Sequence, residues 1–481
     1  MSLHRRKQPM EKKDYDVIVV GSGPNGLSAA IRLQQEGLSV LLLEAKDTIG
    51  GGMRTAELTL PGFYHDVCSA VHPMAIGSPF FSRLPLADFG LEFVYSPLEA
   101  AHPFDDGTAA FLARSLDETA DALGADGKAY RNLVKPVADN WEAIAEDSLG
   151  PFSFPRHPLL MARFGLNALR SAATIANRFS TQKARGLWAG MTAHSIQPLT
   201  NVASAAIGIV LSAVGHRHGW PVPKGGSQAI GRALAGYFVS LGGEIQTGVH
   251  VSSLSQLPSH RAVVFDLTPK QLLTIAGDRF SPGYRKQLAR YRYGPGVFKM
   301  DWALSGPIPF TAPECRQAAT VHLGGTFGEI ALSEQQAYSG AISQAPYVLL
   351  SQQSLFDERA PAGKHTAWAY CHVPNGTDAD MTAIIERQIE RFAPGFRDLI
   401  LAKHTMNAQQ MELYNPNYVG GDINGGIIDI RQLYTRPACR ISPYRTSAKG
   451  IYICSSATPP GGGVHGMCGY HAANAVLKDI F

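Results

Sequence analysis

"DYDVIVVGSGPNGLSAAIRLQQEGLSVLLLEA" runs from Asp14 to Ala45. "DVIVV" is a continuous apolar run stopped by Gly21, the pattern of a central parallel strand. "GLSAAIRLQQEG" has helical spacing closed by Gly37, and "SVLLLEA" reads as a second strand. The unit is βαβ, with Gly21, Gly23 and Gly26 at its first turn. Gly21 makes the tight turn, Gly23 lets backbone approach a pyrophosphate, and Gly26 lets the helix pack close to the sheet. The helix N-terminus offers free N–H groups and a positive dipole end to phosphates. Glu44 closes the second strand, where a carboxylate accepts ribose hydroxyls. A glycine triplet alone is weak evidence; strand, helix, strand and terminal acid together specify a dinucleotide site.

The residues that follow, "EAKDTIGGGMRTAELTLPGFYHD", decide which dinucleotide. Gly50, Gly51 and Gly52 form a bare-backbone loop, Arg54 is a charge-assisted donor for a phosphate, and Lys46 joins the expected cofactor contacts. This extended grip resembles the GG-motif flavoproteins, the superfamily of amine oxidases and phytoene desaturases, and implies FAD. No second strand-GxGxxG-helix unit occurs, so a separate nicotinamide domain is not expected.

The resemblance is most detailed to bacterial phytoene-dehydrogenase-like oxidoreductases. Besides the first motif it rests on "RTAELTLPGFYHDVCSAVHPMA", "LWAGMTAHSIQPL", "TVHLGGTFGEIALSE", "DERAPAGKHTAWAYCHVP" and "YTRPACRISPYRTSAKGIYICSSATPPGGGVHG". It implies that "GIYICSS" returns as a strand to the first domain. "GVHGMCGYHAANAVL" then begins a helix aimed at the isoalloxazine, with Gly462, Gly463, Val464, His465, Gly466 and Met467 as contacts. The stretch around "VPKGGSQAIGRALAGYFVSLGGEIQTGVHVSSL" supplies a helix and strand, with Val251 at the adenine. The expected fold class is α/β: a discontinuous Rossmann-type FAD-binding domain (14–75, 218–300 and 440–481) plus a mixed α+β substrate domain (76–217 and 301–439).

Function is less constrained than fold. The resemblance implies hydride transfer from a lipophilic, isoprenoid or lipid-like substrate. The alternatives are a flavin amine or amino-acid oxidase and a flavin-containing binding protein without turnover. The turn "GGGVHG" lacks the aromatic residue that helps amine oxidases cage a cation. Lys299 stands on an expected strand in a place like that of the amine-oxidase lysine that holds a water near the flavin, and an exposed strand lysine is the plain alternative. His465 is the first choice for a proton acceptor, with His65, Asp66 and His72 behind it. His216 and His218 have no third ligand, and no metal site is expected.

Charge and composition exclude other classes. The chain of 481 residues is 45% hydrophobic and 17% charged, enough to bury a large core. Arg5, Arg6, Lys7, Lys12 and Lys13 against Glu11 account for the whole formal charge of +4, so no domain-wide basic footprint suggests nucleic acid. No apolar leader precedes the first strand, and the six cysteines form no CxxC pair, so a reducing cytoplasm is the expected compartment. Between Ser148 and Gly243 there is no Asp or Glu, against nine Arg or Lys. Arg163, Arg170, Arg178 and Arg185 recur near two helical turns, so residues 156–185 read as a basic amphipathic helix suited to a membrane surface or to a solvated face over the core.

Overall fold

The computed structural model describes residues 14–433 and 435–481. The basic segment 1–13 lies outside the described residues.

A five-stranded parallel sheet organises the first half of the fold. β1 (Tyr15–Val20) is central, flanked by β2 (Val40–Leu43) and by the strand His260–Phe265; Glu244–Gln246 and Ile451–Ile453 are the edges. Alternation along β1 divides the core. Val17 and Val19 pack with Leu27 and Ile31 of α1 (Pro24–Gln34), whereas Ile18 and Val20 pack with Phe265, Leu272 and Tyr284 on the opposite face. Both faces of a parallel sheet must be covered, which is why Val17–Val20 of β1 and all of β2 carry only apolar side chains. The final helix (Met467–Ile480) lies against α1, and two glycines permit the approach: a Cβ at Gly469 would meet Asn25 O at 1.9 Å, and one at Gly466 would meet Ser28 Oγ at 2.1 Å.

A second, seven-stranded mixed sheet carries the other half. Its order is Ile400–Met406, Gly296–Leu304, His365–Val373, Val348–Ser351, Ala318–Leu323, Leu98–Pro103 and Ala109–Leu112. Period-two alternation separates its faces. Met300, Trp302, Val321, Leu350, Ala369 and Cys371 point to a core with Ile385 and Ile389 of the helix Thr382–Phe392. Lys299, Asp301, His322, Leu349, Trp368, Tyr370 and His372 occupy the opposite face. Gly296–Leu304 lies wholly in this sheet, so the boundary expected at residue 300 cuts through one of its strands.

The expected basic helix is not one helix. Pro158–Ala168 and Ala172–Ala176 are separate, because Ser171 turns the chain and its side chain accepts the Thr174 N–H as a new cap. Arg185 lies on a third helix, Gln182–Ala193, capped by Thr181. The four arginines therefore do not form a single stripe. Among the described residues no helix is long and apolar enough to cross a membrane.

Candidate active site

One cavity of about 1030 Å³ joins the two sheets, above the roughly 300–1,000 Å³ of an ordinary small-molecule site. Its first end is the βαβ turn. Gly21, Gly23, Glu44, Lys46, Gly51, Gly52, Arg54 and Val251 all line it, as do Gly462, Gly463, Val464 and His465 from the C-terminal segment. Residues from the two ends of the chain thus share one wall.

The turn is built to keep side chains away. A Cβ at Gly23 would lie 2.6 Å from Asp266 Oδ2, and one at Gly51 would lie 2.9 Å from Gly23 Cα with φ at +56°. Glu44 Oε2 accepts the Ser22 N–H at 3.0 Å, and Oε1 accepts the Lys46 N–H at 2.9 Å. Arg54 donates Nη2 to Glu44 Oε1 at 3.2 Å and to Thr48 O at 2.7 Å, Nε to Thr48, and Nη1 to Gly51 O. Tyr414 also hydrogen-bonds this guanidinium, so its five N–H donors are engaged largely by the protein itself.

Four expected contacts stand elsewhere. Gly26 packs against the turn itself, where a Cβ would meet Gly21 O at 1.9 Å. Gly50 has a φ of +113° and faces Gln228. Gly466 and Met467 are not on the cavity wall: the first is pressed on Ser28, and the second is buried with its N–H donated to His465 Nδ1 at 3.0 Å. The final helix therefore has its first N–H satisfied by an imidazole.

That bond fixes the chemistry of His465. Its Nδ1 lone pair is in use, so the neutral ring carries its proton on Nε2, and burial pulls its pKa down to about 4. In this state the ring is neutral at neutral pH and presents Nε2–H as a donor, which makes it a weak proton acceptor. His65 and Asp66 do not line the cavity. His65 stands 3.7 Å from Asp301, and Asp66 is ion-paired with Arg359, whose charge and hydrogen bonds outweigh burial and hold its carboxyl low. His72 does reach the cavity, but its Nε2 donates to Ser227 Oγ at 2.8 Å, and burial lowers it to about 4.

Lys299 is neither exposed nor on the cavity wall. Its ammonium is ion-paired with Asp301 and lies 6.0 Å from the ring centre of Trp368, which does line the cavity. Lys299 thus stands behind the wall. His216 bonds Tyr130 at 2.8 Å, far from this site in role.

Sequence reasoning missed Asp266, at the end of His260–Phe265. Its Oδ2 accepts the Gly26 N–H at 3.0 Å, inside the glycine turn. Burial, with the Glu44 charge adding, pushes its pKa up to about 7 against the pull of the backbone N–H groups. The only sequence signal was an acid closing the apolar run "AVVFD". Also missed were Trp368 and Tyr370, whose spacing of two in "HTAWAYCHV" places both on the cavity face.

Residues 19–81 match the NAD(P)-binding Rossmann-like domain family. The chain is 25% identical over 558 aligned positions to the mouse protein Pyridine nucleotide-disulfide oxidoreductase domain-containing protein 2, with 98% of this chain and 94% of that one covered. It is 30% identical over 171 residues to hydroxyneurosporene desaturase of Cereibacter sphaeroides, covering 34% of this chain and 32% of that one. Among solved structures it matches putrescine oxidase with a TM-score of 0.60 at 16% identity, over 97% of this chain and 99% of that one. With the parallel sheet and the glycine turn, these likenesses identify an FAD-dependent oxidoreductase.

Proposed function

We propose that this oxidoreductase desaturates or oxidises a lipophilic substrate of isoprenoid or lipid type, drawn from a membrane surface. In this reading the N-terminus of α1 with Gly21 and Gly23 would hold the FAD pyrophosphate, Glu44 the ribose and Val251 the adenine. Gly462 to His465 would lie at the isoalloxazine. Bound FAD supplies the hydride acceptor. The chain's own part is to seat an apolar molecule beside it and to keep water out.

The observation that carries the reading is the second end of the cavity. Leu149, Met161, Phe164, Ile207, Val210 and Leu349 line it. The carboxylates on the cavity wall are Glu44 and Asp266 at the dinucleotide turn and Asp147 at the rim, where Asp147 accepts the N–H groups of Arg156 and His157. An apolar chamber without a free carboxylate suits a neutral, greasy ligand. The mouth supports delivery from a membrane. Phe152, Phe154, Leu159 and Leu166 are 80%, 86%, 88% and 70% exposed, beside exposed Arg156, Arg163 and Arg170. Apolar side chains flanked by arginines fit an anionic lipid surface.

Amine oxidation is the second reading, favoured by the aromatic faces of Trp368 and Tyr370 on the wall. Anaerobic bleaching of the bound flavin separates the two. Isoprenoid polyenes in detergent should bleach it and primary amines should not; the reverse pattern would overturn the lipophilic reading. Flotation with anionic vesicles tests delivery. Wild-type protein should float at low salt and a Phe152→Ser, Phe154→Ser variant should stay at the bottom; a wild type that never floats would end the membrane proposal.

A further inference from the structure

The floor of the apolar chamber carries a short histidine pair. His194, at the end of the helix Gln182–Ala193, lines the cavity, and its Nε2 stands 2.9 Å from Nε2 of His322 on the sheet. One of these nitrogens must donate and the other accept. If His194 donated, the proton of His322 would have to sit on Nδ1. That atom is buried with no partner, pressed against the helix where a Cβ at Gly190 would lie 2.7 Å away. A buried orphan N–H is costlier than a buried orphan lone pair. His322 therefore holds its proton on Nε2 and donates to His194.

The consequence falls on His194. With Nε2 accepting, its proton is on Nδ1, which has no hydrogen-bond partner among the described residues. Burial keeps both rings neutral, His194 down to about 3 and His322 well below its ordinary value. Beside it, Tyr370 lines the cavity with a hydroxyl that also lacks a partner among the described residues.

We infer that His194, its tautomer set by His322, is a fixed neutral hydrogen-bond donor in the substrate chamber, and that the substrate carries an uncharged acceptor oxygen (carbonyl, hydroxyl or ether) on its apolar skeleton. The inference rests on the lipophilic reading above and narrows it. A pure hydrocarbon leaves the Nδ1–H without an acceptor, and a protonated amine presents another donor to it.

The test uses the flavin-loaded protein and three probes of equal length: a C20 polyene hydrocarbon, its primary alcohol and its aldehyde. Affinity is read from quenching of tryptophan fluorescence and from perturbation of the flavin absorbance. The oxygenated probes should bind at least about tenfold tighter than the hydrocarbon. The preference should vanish in His194→Phe while hydrocarbon affinity is retained. Should that variant misfold, His322→Leu is the second: freed from its partner, His194 loses its fixed tautomer and the preference shrinks. Equal affinities in the wild type, or a preference that survives both substitutions, would overturn the inference and leave the lipophilic reading standing. Failure of all three probes to bind would overturn the lipophilic reading and the inference with it.

Discussion

The two ends of the cavity are built on opposite rules. At the dinucleotide end the two carboxylates and the guanidinium are tied to the protein: Glu44 to Ser22, Lys46 and Arg54, Arg54 to its own loop, and Asp266 to Gly26. At the chamber end polar atoms on the wall residues lack partners, among them His72 Nδ1 and the indole nitrogens of Trp220 and Trp368. A site whose donors are preset holds one fixed ligand with little rearrangement. A wall that is apolar and only sparsely polar leaves its chemistry to be completed by the molecule that enters.

The sharpest way to break this contrast is at the turn. Gly23→Val places carbon where Asp266 Oδ2 lies 2.6 Å from even a Cβ, so the purified variant should retain less than about a hundredth of the flavin. Flavin absorbance per protein reads this directly, with circular dichroism to confirm a folded chain; near-normal flavin content would refute the cradle.

Next in size is the ion pair behind the wall. Lys299→Met leaves Asp301 buried without its ammonium, and breaking a buried pair costs about 3–5 kcal/mol, seen as a lower thermal midpoint. The same variant tests whether Lys299 reaches the flavin through Trp368. An unaltered rate of reoxidation by oxygen would confine Lys299 to a structural role.

Asp266 supplies a third, pH-dependent effect. Its folded pKa, about 7, lies above the ordinary carboxylate value of 3.8, so between these pH values the folded chain holds more protons than the unfolded one. Stability from this group is therefore fully present below pH 4 and is lost as pH rises through 7. Each tenfold gain in proton affinity on folding is worth about 1.4 kcal/mol, giving a few kcal/mol in all. Wild-type stability relative to Asp266→Asn should fall across that window in flavin-free protein; a constant difference would contradict the raised pKa.

The smallest effect is an absence of change. Since His465 stays neutral down to about pH 4, activity should have no inflection near pH 6.5 that His465→Gln removes. Loss of such an inflection in the variant would restore His465 as a titrating base.

The contrast also explains what was legible in the sequence. The dinucleotide end is readable because glycines, a terminal acid and strand periodicity are local signals, all within Asp14–Arg54. Even there, Gly466 and Met467 owe their places to helix packing on Ser28 and to the His465 cap, not to the cofactor contacts expected of them. The chamber end is largely hidden. His194, His322 and Tyr370 come from three separate stretches: sheet register brings His322 and Tyr370 to either side of Leu349, and His194 reaches them from the end of the helix Gln182–Ala193. Lys299 is on a strand, as its sequence suggests, but its neighbour Asp301, two residues on and on the same face, decides where the charge goes. The basic helix fails for a local reason: the arginine spacing runs on through Ser171, which caps a new helix.

The edge strand Ile451–Ile453 and the helix Met467–Ile480 impose an order on synthesis. The sheet seeded by β1 waits for its fifth strand, and α1 waits for its covering helix, until the ribosome has made more than four hundred further residues. A nascent chain arrested before residue 440 holds the complete glycine motif but lacks the wall formed by Gly462 to His465. Such a chain exposes the apolar flank of α1 until the helix Met467–Ile480 emerges to cover it, because contacts this distant in sequence form last. On the proposed placement of the flavin, loading waits for the segment 451–480, which acts as its latch.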